Sequence, residues 1–151
     1  MSLRNTSSPS MHGRILLVDD NVGGSTARKT VLEELGHKIH MVSSGADALE
    51  QFAQHKYDLV VTDYRMPRMD GLELIVRLRK QAPDILIVMV SGFVDTLGLN
   101  ESSTGADAVI QKSANEVTHL VRAVNRLLRK KPVKKSAAAD GRTLKSKRQA
   151  G

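Results

Sequence analysis

Four short apolar runs in this chain each lead to a polar residue able to do chemistry, and stretches long enough for a helix separate them. They are Ile15-Leu16-Leu17-Val18 before Asp19-Asp20, Leu59-Val60-Val61-Thr62 before Asp63, Ile85 to Val90 before Ser91, and Ala108-Val109-Ile110 before Lys112. Unbroken apolar runs, as opposed to alternating ones, belong to strands covered on both faces, the usual condition of a parallel sheet. In such a sheet the ligand site lies in the crevice beyond the carboxyl ends of the strands. The four polar stops are therefore expected to converge.

The intervening segments carry helical periods. After Asp20, Ala27, Val31 and Leu35 recur every fourth residue with Leu32 beside them, and Gly36 follows as a stop, which predicts a helix with those residues inward. Ile39 and Met41 alternate with His40 as a short strand. Ala48, Leu49, Phe52 and Ala53 form a stripe behind Ser44, an N-cap with Asp47 three residues on. Gly71 opens a helix with Leu72, Ile75 and Leu78 inward, ended near Pro83. Residues 93–104 are the least periodic and are expected to hold a short or mobile helix. Val117, Leu120, Val121, Val124, Leu127 and Leu128 form a last helical face behind the capping box Ser113-Ala114-Asn115-Glu116. The order is (βα) five times, and right-handed crossovers turn it into an α/β, doubly wound, five-stranded parallel sheet.

The net charge of +7 suggests nucleic acid until it is located. From residue 129 onward nine Lys or Arg face one Asp, a surplus of +8, so residues 1–128 carry −1. The expected organisation is a flexible N-terminal segment over 1–12, one folded domain over 13–130, and a basic tail over 131–151 too charged and too poor in large apolar groups to fold by itself. No window holds the ~18 consecutive apolar residues of a membrane span, and the N-terminus does not resemble a signal peptide. With no Cys there is neither a disulfide framework nor a thiolate metal site. The expected location is the cytoplasm, without membrane insertion.

Convergence of Asp19, Asp20 and Asp63 would crowd three carboxylates, a repulsion that a cation relieves. Oxygen-only donors without His or Cys suit Mg²⁺, with Mn²⁺ as the alternative. Lys112 supplies a point charge and Ser91 a hydroxyl for phosphate, and a carboxylate can itself be the nucleophile that becomes an aspartyl-phosphate. His12, His37, His40, His55 and His119 lack metal-ligand spacing and are expected at the surface or at strand edges. Met41, Met66, Met69 and Met89 are expected to pack.

These stretches, Leu16-Leu17-Val18-Asp19-Asp20, Asp63-Tyr64-Arg65-Met66-Pro67-Arg68-Met69-Asp70-Gly71, Val90-Ser91-Gly92 and Gly105-Ala106-Asp107-Ala108-Val109-Ile110-Gln111-Lys112, together resemble a CheY-like receiver domain of two-component response regulators, in single-domain form. The resemblance covers about residues 14–130 and implies a flavodoxin-like strand order 2-1-3-4-5. It also implies Asp63 as phosphoacceptor and Asp20 as direct metal ligand, with Asp19 acting largely through water. Arg65 would lend its backbone carbonyl to the metal, and Ser91 and Lys112 would bind the phosphoryl group. Arg65 and Phe93 stand at the rim positions that tune the lifetime of the phosphorylated form. The donor would be a phosphohistidine on a sensor histidine kinase or phosphotransfer protein. Two departures matter: Val109 stands where the family commonly has the aromatic of a rotamer switch, and Ser113 where a proline commonly follows the lysine.

Two functions follow. One is a receiver that signals through contacts with a downstream protein, not an enzyme beyond its own phosphorylation and hydrolysis. The other is a regulator whose basic tail binds nucleic acid or another anionic partner, without sequence preference because no folded reader of base edges is legible after Leu128.

Overall fold

The four apolar runs and the alternating strand over 39–41 do form one parallel sheet. A computed structural model of the chain describes residues 12–92 and 94–138. Its strands are β1 (Arg14–Val18), β2 (Lys38–Val42), β3 (Leu59–Asp63), β4 (Leu86–Ser91) and β5 (Ala108–Gln111). They lie side by side in the order β2-β1-β3-β4-β5, every neighbouring pair parallel. The helices are α1 (Val22–Glu34), α2 (Gly45–Gln54), α3 (Gly71–Gln81), α4 (Val94–Leu97), α5 (Glu101–Thr104) and α6 (Glu116–Ala138).

Successive residues of a strand point to opposite faces, so each unbroken run feeds two cores. Ile15, Leu17, Val61, Val88 and Val90 pack with Leu32 of α1 and with Leu120, Val124, Leu127 and Leu128 of α6. Leu16, Val18, Val60, Ile87 and Met89 face the other way, against Ala48 of α2 and Leu74, Ile75 and Leu78 of α3. All of β3 is buried, which explains why its sequence shows no polar alternation. Truncating one of these side chains, Leu74 for example, costs roughly 2–5 kcal/mol in such a core.

Three local expectations are corrected. The inward face of α1 is Ser25, Arg28 and Leu32, not Ala27, Val31 and Leu35. Ala27 and Leu35 are exposed, because the helix is rolled to carry Arg28 inside. The segment after β4 holds two short helices, not one. Gly98 lies between them in the left-handed region, φ 64, and Asn100 restarts the chain by accepting from the Ser103 N–H. His37, expected at the surface or at a strand edge, directly precedes the edge strand β2 but is buried there and not exposed. Its Nδ1 accepts from the Gly13 N–H at 3.0 Å, a partner that makes burial affordable.

The backbone of α6 also continues through residues 131–138, which were expected to be without structure. Ala and Lys are strong helix formers, and the helix continues through Pro132 although a proline there removes a backbone donor and crowds the carbonyl four residues back. Phe93 and the end of the basic tail, residues 139–151, lie outside the described residues, as does the N-terminal segment up to residue 11. Among the described residues no helix is long and apolar enough to cross a membrane.

Candidate functional site

Backbone bonds at the carboxyl edge of the sheet set the positions of the polar stops. The ladder runs one residue past β1, with the Asp19 N–H donating to the Val42 carbonyl at 3.1 Å. Asn21 then caps α1, its side chain accepting from the Gly24 N–H at 3.1 Å while its own N–H donates to Asp19 Oδ1 at 2.8 Å. At the end of β3 the Tyr64 N–H donates to the Val90 carbonyl at 3.1 Å, and at the end of β4 the Ser91 carbonyl accepts from the Lys112 N–H at 2.9 Å. Asp19 is thus fixed against β2, while the chain at Asp63, Ser91 and Lys112 is tied together across β3, β4 and β5.

The loop between β3 and α3 is bent tightly around Asp63. The Gly71 N–H returns to the Tyr64 carbonyl at 2.8 Å. A Cβ at position 71 would run into the carbonyl of Asp63, so only glycine allows this approach. Arg68 holds φ 70, a left-handed conformation rare for a side-chain-bearing residue, and the Met69 N–H closes on the Pro67 carbonyl at 2.7 Å. Met66 is buried and Met69 packs against the same core, as expected of packing methionines.

Within this frame one carboxylate oxygen from each of Asp19, Asp20 and Asp63 lies within 4.8 Å of the others. Asp19 and Asp63 are buried at 2% and 7% exposure, whereas Asp20 is exposed and opens the cluster to solvent. Burial pushes the Asp63 carboxyl above its ordinary range and the charge of Asp19 adds to this, against the pull of Lys112 and of the Tyr64 N–H. Lys112 Nζ donates to Asp63 Oδ2 at 3.0 Å and the Tyr64 N–H to Oδ1 at 2.9 Å. Three carboxylates at this spacing form an all-oxygen donor set that fits a small hard divalent cation. Asp63, with both oxygens oriented by hydrogen bonds, is placed to act as a nucleophile.

Ser91 is buried at the end of β4, opposite Gln111 in register and one residue short of Lys112 in that pairing. Arg65 is exposed on the loop two residues after Asp63. Val109 of β5 is half-buried.

Two members of the site were not foreseen. Arg28 Nη1 donates to Asp19 Oδ2 at 2.5 Å and its Nε to Glu116 Oε2 at 2.5 Å. Burial pulls the Arg28 guanidinium down, but its hydrogen bonds to Glu116 and Asp19 outweigh that and hold it above its ordinary value. Glu116 therefore does not close the expected capping box: its N–H meets the Ser113 carbonyl at 3.1 Å while its side chain turns to Arg28. A signal existed, since Ser25, Arg28 and Leu32 share one helical stripe, but a count of apolar residues passes over it.

Comparison with known proteins identifies the family. Residues 15–125 match the model of the response regulator receiver domain. The chain is 30% identical over 115 residues to the response regulator receiver protein CpdR of Brucella abortus, covering 76% of this chain and 96% of that one. It is 34% identical over 122 residues to the alkaline phosphatase synthesis transcriptional regulatory protein PhoP of Bacillus subtilis, of which it spans 50%. Among solved structures it resembles the response regulator TrrA of Thermotoga maritima in complex with Mg²⁺-BeF, with a TM-score of 0.67 and 34% identity over 76% of this chain and 97% of that one. The carboxylate cluster, the strand order and these matches lead to one conclusion: the chain belongs to the response regulator receiver domain family of two-component signalling.

Proposed function

We propose that Asp63 accepts a phosphoryl group from a phosphohistidine, on a sensor histidine kinase or a phosphotransfer protein, and that the phosphorylated domain signals through contact with a downstream protein. The observation that carries this reading is the buried Asp63 carboxylate, paired with Lys112 at 3.0 Å inside a three-carboxylate cluster. One Asp63 oxygen attacks phosphorus, a P–O bond forms, and the P–N bond to the donor imidazole breaks with its electron pair returning to nitrogen. Lys112 offers its ammonium to the charge on the transferred group, and the Ser91 hydroxyl donates to a second oxygen. Asp19, Asp20, Asp63 and the backbone carbonyl of Arg65 would hold Mg²⁺, which supplies charge neutralisation for two anions brought together.

We assign Arg65, exposed two residues after Asp63, to limiting the approach of water and so to setting the lifetime of the phosphorylated state; the same role for Phe93, which lies outside the described residues, rests on the resemblance alone. A second reading, binding of nucleic acid or another polyanion, draws on the exposed Arg122, Arg126, Arg129 and Lys130 of α6, which lead into the basic segment.

The deciding experiment labels the full chain with acetyl phosphate or a phosphorylated kinase, with and without Mg²⁺. Labelling is expected to require the cation and to vanish in Asp63→Asn. Acid-stable labelling that persists in Asp63→Asn overturns the assignment.

A further inference from the structure

Arg28 is a buried charge that the phosphoryl transfer does not itself use. It is 4% exposed, and its side chain is gripped on one side by Asp19 and on the other by Glu116, in the first turn of α6 and 88 residues away in sequence. Asp19 is gripped in turn: Oδ2 accepts from Arg28 and Oδ1 from the Asn21 N–H at 2.8 Å. A buried guanidinium left without partners is expensive, so the arrangement persists only while both carboxylates face it. If the need were only to join α1 to α6, an apolar side chain would serve, as Leu32 does one turn later within the same core. A planar fork between two carboxylates adds a fixed direction for each and a charge beside the cluster.

The charge has a definite place in the site. Asp19, Asp20 and Asp63 carry three negative charges, Lys112 offsets one at Asp63 and Arg28 offsets one at Asp19. Glu116, on the far side of Arg28, returns part of that offset.

We propose that Arg28 is a positioning residue for the divalent cation: it fixes the direction of the Asp19 carboxylate and lowers the attraction of the cluster for the cation, and Glu116 moderates that effect. This rests on reading the three carboxylates as a Mg²⁺ site. Arg28 touches neither cation nor phosphate and acts through Asp19.

The test uses the full chain and its Arg28→Met, Arg28→Lys and Glu116→Gln variants. Mg²⁺ affinity is read by calorimetry and by the fluorescence of Tyr64, next to Asp63, and labelling by acetyl phosphate is timed at saturating Mg²⁺. A unit charge removed several ångströms from a divalent ion near the surface shifts its affinity on the order of tenfold. Arg28→Met is therefore expected to bind Mg²⁺ about tenfold tighter yet label several-fold more slowly at saturation, because the anionic donor meets more negative charge and Asp19 is free to turn. Glu116→Gln should move the other way, to Mg²⁺ binding a few-fold weaker, and Arg28→Lys, which keeps the charge, should return close to the parent affinity. Equal Mg²⁺ affinities throughout, or shifts of Arg28→Met and Glu116→Gln in the same direction, overturn the proposal. If Arg28→Met does not fold, Glu116→Gln decides: weaker binding supports the proposal and unchanged binding overturns it. A parent chain that neither binds Mg²⁺ nor takes phosphate overturns the reading of the site itself, a result separable from any difference among variants.

Discussion

The two ends of the sheet use the same residue types to opposite effect. At the amino edge, Asp58 and Asp107 each clasp the neighbouring strand with main chain and side chain together. Arg14 donates to Asp58 Oδ2 at 2.8 Å and accepts from the Asp58 N–H at 2.8 Å. Ile87 does the same with Asp107, again at 2.8 Å both ways. These carboxylates serve strand amides that would otherwise lack partners, and they stand apart from one another. At the carboxyl edge, Asp19, Asp20 and Asp63 crowd within 4.8 Å and depend on two cations, Arg28 and Lys112, for compensation. A carboxylate bound to another strand's amide holds the fold. A carboxylate held beside two others keeps a repulsion that a ligand relieves, and that is where chemistry can start.

The largest expected effect lies at the carboxyl edge. Lys112→Met removes a preorganised donor from the transferred group, and losses of this kind run on the order of 10²-fold in rate. Labelling of Asp63 by acetyl phosphate should slow by about that factor while the Tm stays within a few degrees. A large loss of Tm with the rate preserved would place Lys112 among the structural groups and erase the contrast.

At the amino edge the expected effect falls on stability. Arg79 reaches the carbonyls of Pro83, Ile85 and Gly105 and the carboxylate of Asp107, joining the starts of β4 and β5. Arg79→Met leaves those acceptors without that donor, at about 1–3 kcal/mol, or roughly 3–12 °C in Tm for a domain of this size. The labelling rate should stay within about twofold of the parent. A rate loss matching that of Lys112→Met would mean that the two edges are not independent.

His37 gives the amino edge a pH signature. Burial, with the charge of His12 adding and that of Asp58 opposing, holds its pKa below the ordinary 6.5. The folded state thus prefers the neutral ring, whose Nδ1 accepts from the Gly13 N–H. That contribution is complete above the unfolded value and is lost as pH falls from about 6.5 through the folded pKa. The Tm should be level near neutrality and decline below about pH 6.5, and His37→Gln should flatten the decline. An unchanged slope would remove His37 from the account of this edge.

Much of this was legible in the sequence, for a physical reason. The strand runs are unbroken because both faces of the sheet are covered, and Asp63 and Lys112 stand out because each follows such a run. Ser44 capping α2 through the Asp47 N–H was equally visible, since the partner is three residues away. Arg28 and Glu116 were not, because what makes this buried arginine tolerable is a pair of carboxylates, one of them, Glu116, contributed by a segment 88 residues away. His37 was missed for the same reason, its partner Gly13 lying 24 residues back. Periodicity registers apolar groups, whereas burial follows from compensation, and compensation over long separations is settled only by the fold.

The smallest expected effect concerns α6 beyond its packed face. Among the residues of α6 whose burial is described, the buried ones are Leu120, Ala123, Val124, Leu127 and Leu128, and the backbone helix over 131–138 follows them. A helical extension that packs on nothing would add little, because propagation in water is close to neutral per residue. Truncation after Lys131 should therefore change the Tm by less than about 3 °C, below the drop expected for Arg79→Met on the same scale, and leave labelling of Asp63 as it is. The cut removes six Lys or Arg and one Asp. Any affinity of the full chain for DNA or heparin should fall with it, and the dependence of log affinity on log salt should become shallower as fewer counterions are released. A loss of Tm as large as that of Arg79→Met would show that the basic segment belongs to the domain and does not merely extend it. An unchanged salt slope would leave polyanion binding to the basic residues before the cut, such as Arg122, Arg126, Arg129 and Lys130.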